Sequence, residues 1–366
     1  MPEVHDHGIG RERANNIGLL RLLFAALVVV SHAPELVDGN RSREILTRIF
    51  GTLSFGEVAV DGFFLLSGYL IAGSVQASTG WRGYALRRAL RIYPGFLVAF
   101  LVCVLVVAPL AGGDLSAMSV PGAVARAALL LVPAVPGAFA GLPHPSLDGA
   151  MWTIPFEVGC YALMAALGAT GVLRRRGRFI LVLAILAALY ALRWRYLPIG
   201  AAGTRLGSVS EGIRLAFVFC CGGAFRVLGE HIVYTGRRAA LAAAGLIPLL
   251  FVPGLAEPAF AVLGGFVAFW FALRVPPSAL GLVANRTDVS YGLYLYAWPI
   301  QNLVVAAWPG FSPWFGAAVT MTAAGLCGLA SWYAVERPML RTAPRVEAWL
   351  SGRRPVRDPV ATSPSA

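Results

Sequence analysis

The chain is built from apolar runs of about 15 to 22 residues separated by short polar loops, and this pattern leaves few folds open. A helix of about 20 apolar residues matches the hydrocarbon thickness of a bilayer. In lipid the backbone must satisfy its own hydrogen bonds, which a helix does within one segment. We read crossings at about 17–34, 52–73, 92–111, 152–173, 179–193, 212–228, 239–253, 259–274, 289–307 and 314–336. With 58% hydrophobic and 13% charged residues, the composition is far from that of a soluble domain. The expected fold class is an all-α polytopic membrane protein, with one helical domain over 17–340. It is flanked by an N-terminal tail, 1–16, and a Pro/Ser/Arg-rich tail, 341–366, expected to be disordered. The first 16 residues lack the apolar core of a secretory signal, so the first span is expected to serve as an uncleaved insertion signal.

The run at 121–138 stands apart. It contains Arg126 and is closed by Pro133 and Pro136, and proline ends or kinks a helix. The arginine-rich loops at 81–91, 174–178, 226–238 and 274–286, and the one after Glu336, decide its role. They fall on one side only if 121–138 enters and leaves by the same face. The positive-inside rule then gives ten crossings plus one re-entrant segment, with both termini cytoplasmic. Loop 35–51, with Arg41, Arg43 and Arg48, fits this pattern poorly. The net charge of +12 sits in short loops between spans and not on one soluble face, so no nucleic-acid partner is expected and membrane lipids are. Cys103, Cys160, Cys220, Cys221 and Cys327 all lie in apolar runs without metal-ligand spacing, so they are expected to be small buried residues, with no metal.

Against this background, charges inside the spans are informative, because they are costly in lipid. Arg21 and His32 lie eleven residues apart in the first span, on one face and about 16 Å apart along the axis. The second span carries Glu57 and Asp61, four apart and so on one face. Such groups either hold helices together or, where a histidine meets a carboxylate, form a general base. Arg82, Arg87, Arg88 and Arg91 precede the third span. They are topology-setting charge or a phosphate clamp, since guanidinium forks match phosphate oxygens. Glu157, in the fourth span, is a structural partner for an arginine or a proton acceptor. Ser290 to Asn302 places four aromatics and a proline where a span begins, as an interfacial belt or an apolar wall.

Taken in order, R-x10-H at Arg21 and His32, VDGFFLLSGYLI at 60–71, RRALRIYP at 87–94, WTIPFE at 152–157, SYGLYLY at 290–296 and VERP at 335–338 resemble the acyltransferase 3 family over about residues 15–340. That resemblance implies a bacterial inner-membrane, multi-pass O-acyltransferase. No permanently bound cofactor is implied. Acyl-CoA, most often acetyl-CoA, is the donor, and the acceptor is a hydroxyl of lipopolysaccharide, another cell-envelope glycan or a lipid-linked saccharide. It implies that Arg21 and His32 are needed for activity and that Arg88, Arg91 and Arg87 serve the acyl-CoA. Where many relatives have a second histidine, this chain has Ala297, which leaves His32 as the intramembrane imidazole.

The expected mechanism has His32 as general base or acyl carrier, oriented by Asp61 or Glu157, with Ser67 beside the donor and backbone N–H groups near Gly62 or Gly68 stabilising the oxyanion. The alternative of another class is a transporter of a glycolipid or exopolysaccharide precursor through the same charged core.

Overall fold

The computed structural model describes residues 15–78, 80–197 and 204–350, which are helical with no strand among them. The tail segments 1–14 and 351–366 lie outside the described residues. The helices are α1 (Ile17–Asp38), α2 (Ile45–Phe50), α3 (Phe55–Ala77), α4 (Trp81–Leu110), α5 (Val120–Ala128), α6 (Gly149–Ala169) and α7 (Arg176–Tyr196). They continue with α8 (Arg205–Val227), α9 (Gly236–Leu249), α10 (Ala256–Arg274), α11 (Ala279–Arg286), α12 (Ser290–Ala307), α13 (Pro313–Ser331) and α14 (Arg337–Leu350).

Every expected span is a helix, and eight helical stretches among the described residues are long and apolar enough to cross a membrane. The other two expected spans are α9 and α12. This is an all-helical, multi-pass membrane protein. The run 121–138 makes only the nine-residue α5, about 14 Å long, followed by an irregular chain in which Leu130 and Phe139 adopt positive φ. Two short helices, α2 and α11, were not anticipated. The stretch expected as a disordered tail begins as helix, because α14 continues to Leu350 through a wide turn at Trp332–Glu336.

Local chemistry sets the helix ends. α3 opens on a capping box in which the Ser54 side chain accepts from Glu57 N–H and Glu57 accepts from Ser54 N–H at 2.7 Å. α1 stops at Gly39, whose φ of 72° lets its N–H return to the Glu35 carbonyl at 2.8 Å. Two of the three arginines of loop 35–51 are neutralised locally: Arg43 grips Asp38 with two bonds of 2.5 and 2.6 Å, and Arg41 meets Glu35 and Glu57.

Small residues bring two helix pairs to backbone contact. On α3 and α8, Gly68 faces the Phe219 carbonyl and Gly222 faces the Leu65 carbonyl, and on α12 and α13 Gly292 meets Gly328. Without a hydrophobic drive between helices in lipid, such close approach is what dispersion forces need. α1 packs against α3, α12 and α13.

Behind α3, a buried charged network joins four helices. Asp61 (α3) is fully buried and lies 3.0 Å from Arg214 (α8). Arg214 also pairs with Glu257 (α10) and, at 3.5 Å, with Glu211. Arg193 (α7) is 2.9 Å from Glu257, which accepts the Tyr190 hydroxyl at 2.5 Å. Each guanidinium is shared between carboxylates, which is how buried charge is tolerated.

Candidate active site

α1, α3, α4, α6 and α12 enclose a cleft of about 870 Å³ including its mouth. Its charged end is made by Arg21 from α1 and by Arg88 and Arg91, one turn apart on α4. Asp288, in the connector before α12, holds two of these guanidiniums. Its Oδ2 lies 2.5 Å from Arg91 and 3.3 Å from Arg21. The Ser290 hydroxyl donates to Asp288 Oδ1 at 2.5 Å and accepts from Arg21 Nε at 3.3 Å. A second nitrogen of Arg91 stands 3.5 Å from Glu336, which the Ser331 hydroxyl fixes at 3.0 Å. Arg88 makes no ion pair among the described residues; it faces the Tyr161 ring at 6.0 Å, and its Nε is buried without a partner. Two arginines are therefore locked in place, and the third is left with hydrogen-bonding capacity turned toward the cleft.

Along the wall, Glu157 accepts the Tyr161 hydroxyl at 2.5 Å and the Ser67 hydroxyl at 3.4 Å. Of the two readings of Glu157, the arginine partner is not what the geometry contains: its contacts are hydroxyls. The inner end narrows between aromatic rings. Phe63 lies 6.1 Å from Tyr294 and 5.9 Å from Phe24. The Tyr294 hydroxyl bonds that of Thr153 at 2.7 Å and reaches the Ala150 carbonyl.

His32 is beyond this constriction and does not line the cleft. Its ring meets Trp298, one turn past Tyr294 on α12, edge to face at 4.8 Å. Its Nδ1 is 2.9 Å from Glu35 Oε2. The same oxygen is 3.2 Å from Arg41, whose other nitrogen is 3.7 Å from Glu57. With Nδ1–H donated to a carboxylate, the lone pair of a neutral imidazole sits on Nε2, the tautomer a general base needs.

The structure thus gathers Arg21, Ser67, Arg88, Arg91 and Glu157 around one space and corrects three expectations. The carboxylate on His32 is Glu35, not Asp61 or Glu157. Asp61 is enclosed by the Arg214 network and takes no part in the cleft. Arg87 turns away to the Ser78 hydroxyl at 2.9 Å. Of the cysteines, Cys327 is exposed on the outside of α13, and the other four are buried. The residues missed from sequence are Glu35, Tyr161, Asp288 and Glu336 as a partner of Arg91. Only Glu35, three residues after His32, carried a local signal.

Comparison with known proteins agrees with the motif order. A family model described as an acyltransferase domain matches residues 15–336. An O-acetyl transferase of Shigella phage Sf6 is 27% identical, over 91% of this chain and 98% of its own length. Nodulation protein 10 of Rhizobium leguminosarum bv. viciae is 26% identical, over 93% of this chain and 96% of its own. No solved structure matches significantly. The match spans nearly the whole helical domain and favours an enzyme over a transporter: the chain belongs to the acyltransferase 3 family and is a membrane O-acyltransferase.

Proposed function

We propose that the enzyme carries an acyl group from acyl-CoA, entering at the arginine end of the cleft, to a hydroxyl of a cell-envelope glycan or lipid-linked saccharide on the other side of a bacterial inner membrane. Acetyl is the group favoured by the name of the phage relative. In this reading the chain crosses ten times, 121–138 is re-entrant and both termini are cytoplasmic. The observation that carries it is the layout of α1: Arg21, with Arg88 and Arg91 beside it, lies about three turns from the His32–Glu35 pair. Arg88 supplies the open fork for the phosphates, with Arg91 and Arg21 held rigid by Asp288. The thioester arm extends along α1 and α3 past Ser67 and Glu157, toward the ring pair of Phe63 and Tyr294.

His32 Nε2 takes the proton of the acceptor hydroxyl as the oxygen attacks the thioester carbon. The C–O bond forms, the C–S bond breaks, and the imidazolium returns the proton to the departing thiolate. Glu35 and Arg41 keep the imidazole in the required tautomer. Ester product and free CoA balance the reaction.

The test is transfer of label from acetyl-CoA to base-labile ester in the glycan fraction of membranes containing the enzyme. His32→Ala is expected to abolish labelling while membrane insertion is unchanged. Full labelling with that variant overturns the assignment of His32.

A further inference from the structure

The arginine end of the bundle holds a second concavity, on the other side of α3 from the cleft. Tyr69 and Gln76 lie about 200° and 180° round the α3 axis from Ser67, so the two spaces share a helix but not an opening. This groove, of about 1400 Å³ including its mouth, is lined by Arg174, Arg176, Arg226 and Arg274. They come from separate elements: the connector before α7, the start of α7, the last turn of α8 and the end of α10.

Among the described residues only one carboxylate faces them, Glu230, and Arg176 takes it at 2.5 Å. No ion pair holds Arg174, Arg226 or Arg274 among the described residues. Arg226 stacks over the Tyr69 ring at 5.6 Å and rests on Gly73, where an added Cβ would stand 3.0 Å from its Nε. The glycine therefore lets a guanidinium lie against the α3 backbone. On the wall, the Tyr234 hydroxyl is buried with no hydrogen-bond partner, although buried polar groups are ordinarily satisfied.

Topology alone asks for arginines somewhere in these loops. It does not ask for three uncompensated guanidiniums to converge on one concavity beside an orphaned hydroxyl, since like charges at short range repel. An anion with several acceptor oxygens answers both features, because guanidinium forks and a phenol donor suit phosphate geometry. We propose that this groove is a second, noncatalytic phosphate site, in which Arg226 and Arg274 grip the phosphate of an anionic ligand and Tyr234 donates to it. The phosphate belongs to an anionic lipid headgroup or to a soluble phosphorylated compound. The assignment stands whether or not the donor in the cleft is acyl-CoA.

The full chain in nanodiscs distinguishes the two sources. In mixed phosphatidylcholine and phosphatidylglycerol discs, native mass spectrometry counts retained phosphatidylglycerol. In phosphatidylcholine discs, calorimetry measures inorganic pyrophosphate binding in an Arg88→Ala background, so that the fork of the cleft does not contribute. The parent is compared with Arg226→Ala/Arg274→Ala, with Tyr234→Phe, with Arg88→Ala in the cleft, and with Arg237→Ala/Arg238→Ala outside the groove. All the arginines of the groove and of the outside control are exposed, so their removal spares the core. We expect at least a tenfold loss in one arm for the Arg226/Arg274 pair, a severalfold loss for Tyr234→Phe, no change in either arm for Arg237→Ala/Arg238→Ala, and no change in retained lipid for Arg88→Ala. Loss of retained lipid names the headgroup; loss of pyrophosphate affinity names the soluble source. A parent-like Arg226/Arg274 variant in both arms, or lipid retention that follows Arg88, overturns the proposal.

Discussion

Replacing Gly222 by alanine should weaken both the fold and the activity, by an amount the backbone geometry sets. The new Cβ would run into the Leu65 carbonyl oxygen, with the carbonyl carbon at 2.7 Å and the Leu65 Cα at 2.9 Å. Carbon atoms prefer about 3.5–4.0 Å, so α3 and α8 must part by roughly 1 Å. Both obstructing carbons belong to backbone, so no rotamer change relieves them. Overpacking of this kind costs about 1–3 kcal/mol. The shift also moves Ser67, two residues beyond Leu65 on the cleft wall, and loosens the 3.0 Å pair of Asp61 with Arg214. A misplacement of about 1 Å at a reacting centre costs up to about 10²-fold in rate. The assay is the midpoint of heat-induced aggregation in detergent alongside the rate of acyl transfer in membranes, with Gly159→Ala as control because nothing stands within 4 Å of that position. We expect a lower midpoint and a rate reduced roughly 10- to 100-fold for Gly222→Ala, and parental values for Gly159→Ala. If the two variants behave alike in both measurements, the α3–α8 approach is not tight and the reasoning fails.

Glu35→Ala should lower acyl transfer by about 10²-fold, within the range for general-base catalysis, while leaving expression unchanged. A rate within threefold of the parent would show that Glu35 does not position His32. Arg214→Ala strands Asp61 without a cation and leaves Glu257 to Arg193, a loss of about 3–5 kcal/mol for a broken buried pair. The expected result is a collapse of folded yield on size-exclusion chromatography, partly recovered by adding Asp61→Asn. An undiminished yield for the single variant would mean that the network does not hold the helices.

The all-helical class and the placement of the spans were legible because a bilayer imposes one length and one composition on every crossing. The two prolines after Arg126 were enough to mark 121–138 as different. Arg21, Ser67, Arg88, Arg91 and Glu157 could be picked out because polar groups near or within spans are few. Their partners could not. Asp288 and Glu336 sit at span boundaries, where acids are ordinary, and only the fold brings them to Arg91. The misassigned carboxylate has the same cause. A mid-span aspartate looked better suited to His32 than a glutamate near a helix end, yet Asp61 points across to α8, a direction that α3 alone does not reveal.

The network behind α3 also bears on how the protein is made. Asp61 finds Arg214 roughly 150 residues later in the chain, which at about 5–20 residues per second is some 8–30 s of synthesis. Until then α3 carries a carboxylate without its cation, and a charge at the centre of a span costs about 2.5–3.5 kcal/mol to insert. Arg193 waits in the opposite sense, since its carboxylate, Glu257 on α10, is made after both arginines. The pairing therefore favours release of α3, α7, α8 and α10 into lipid as a group over release one at a time.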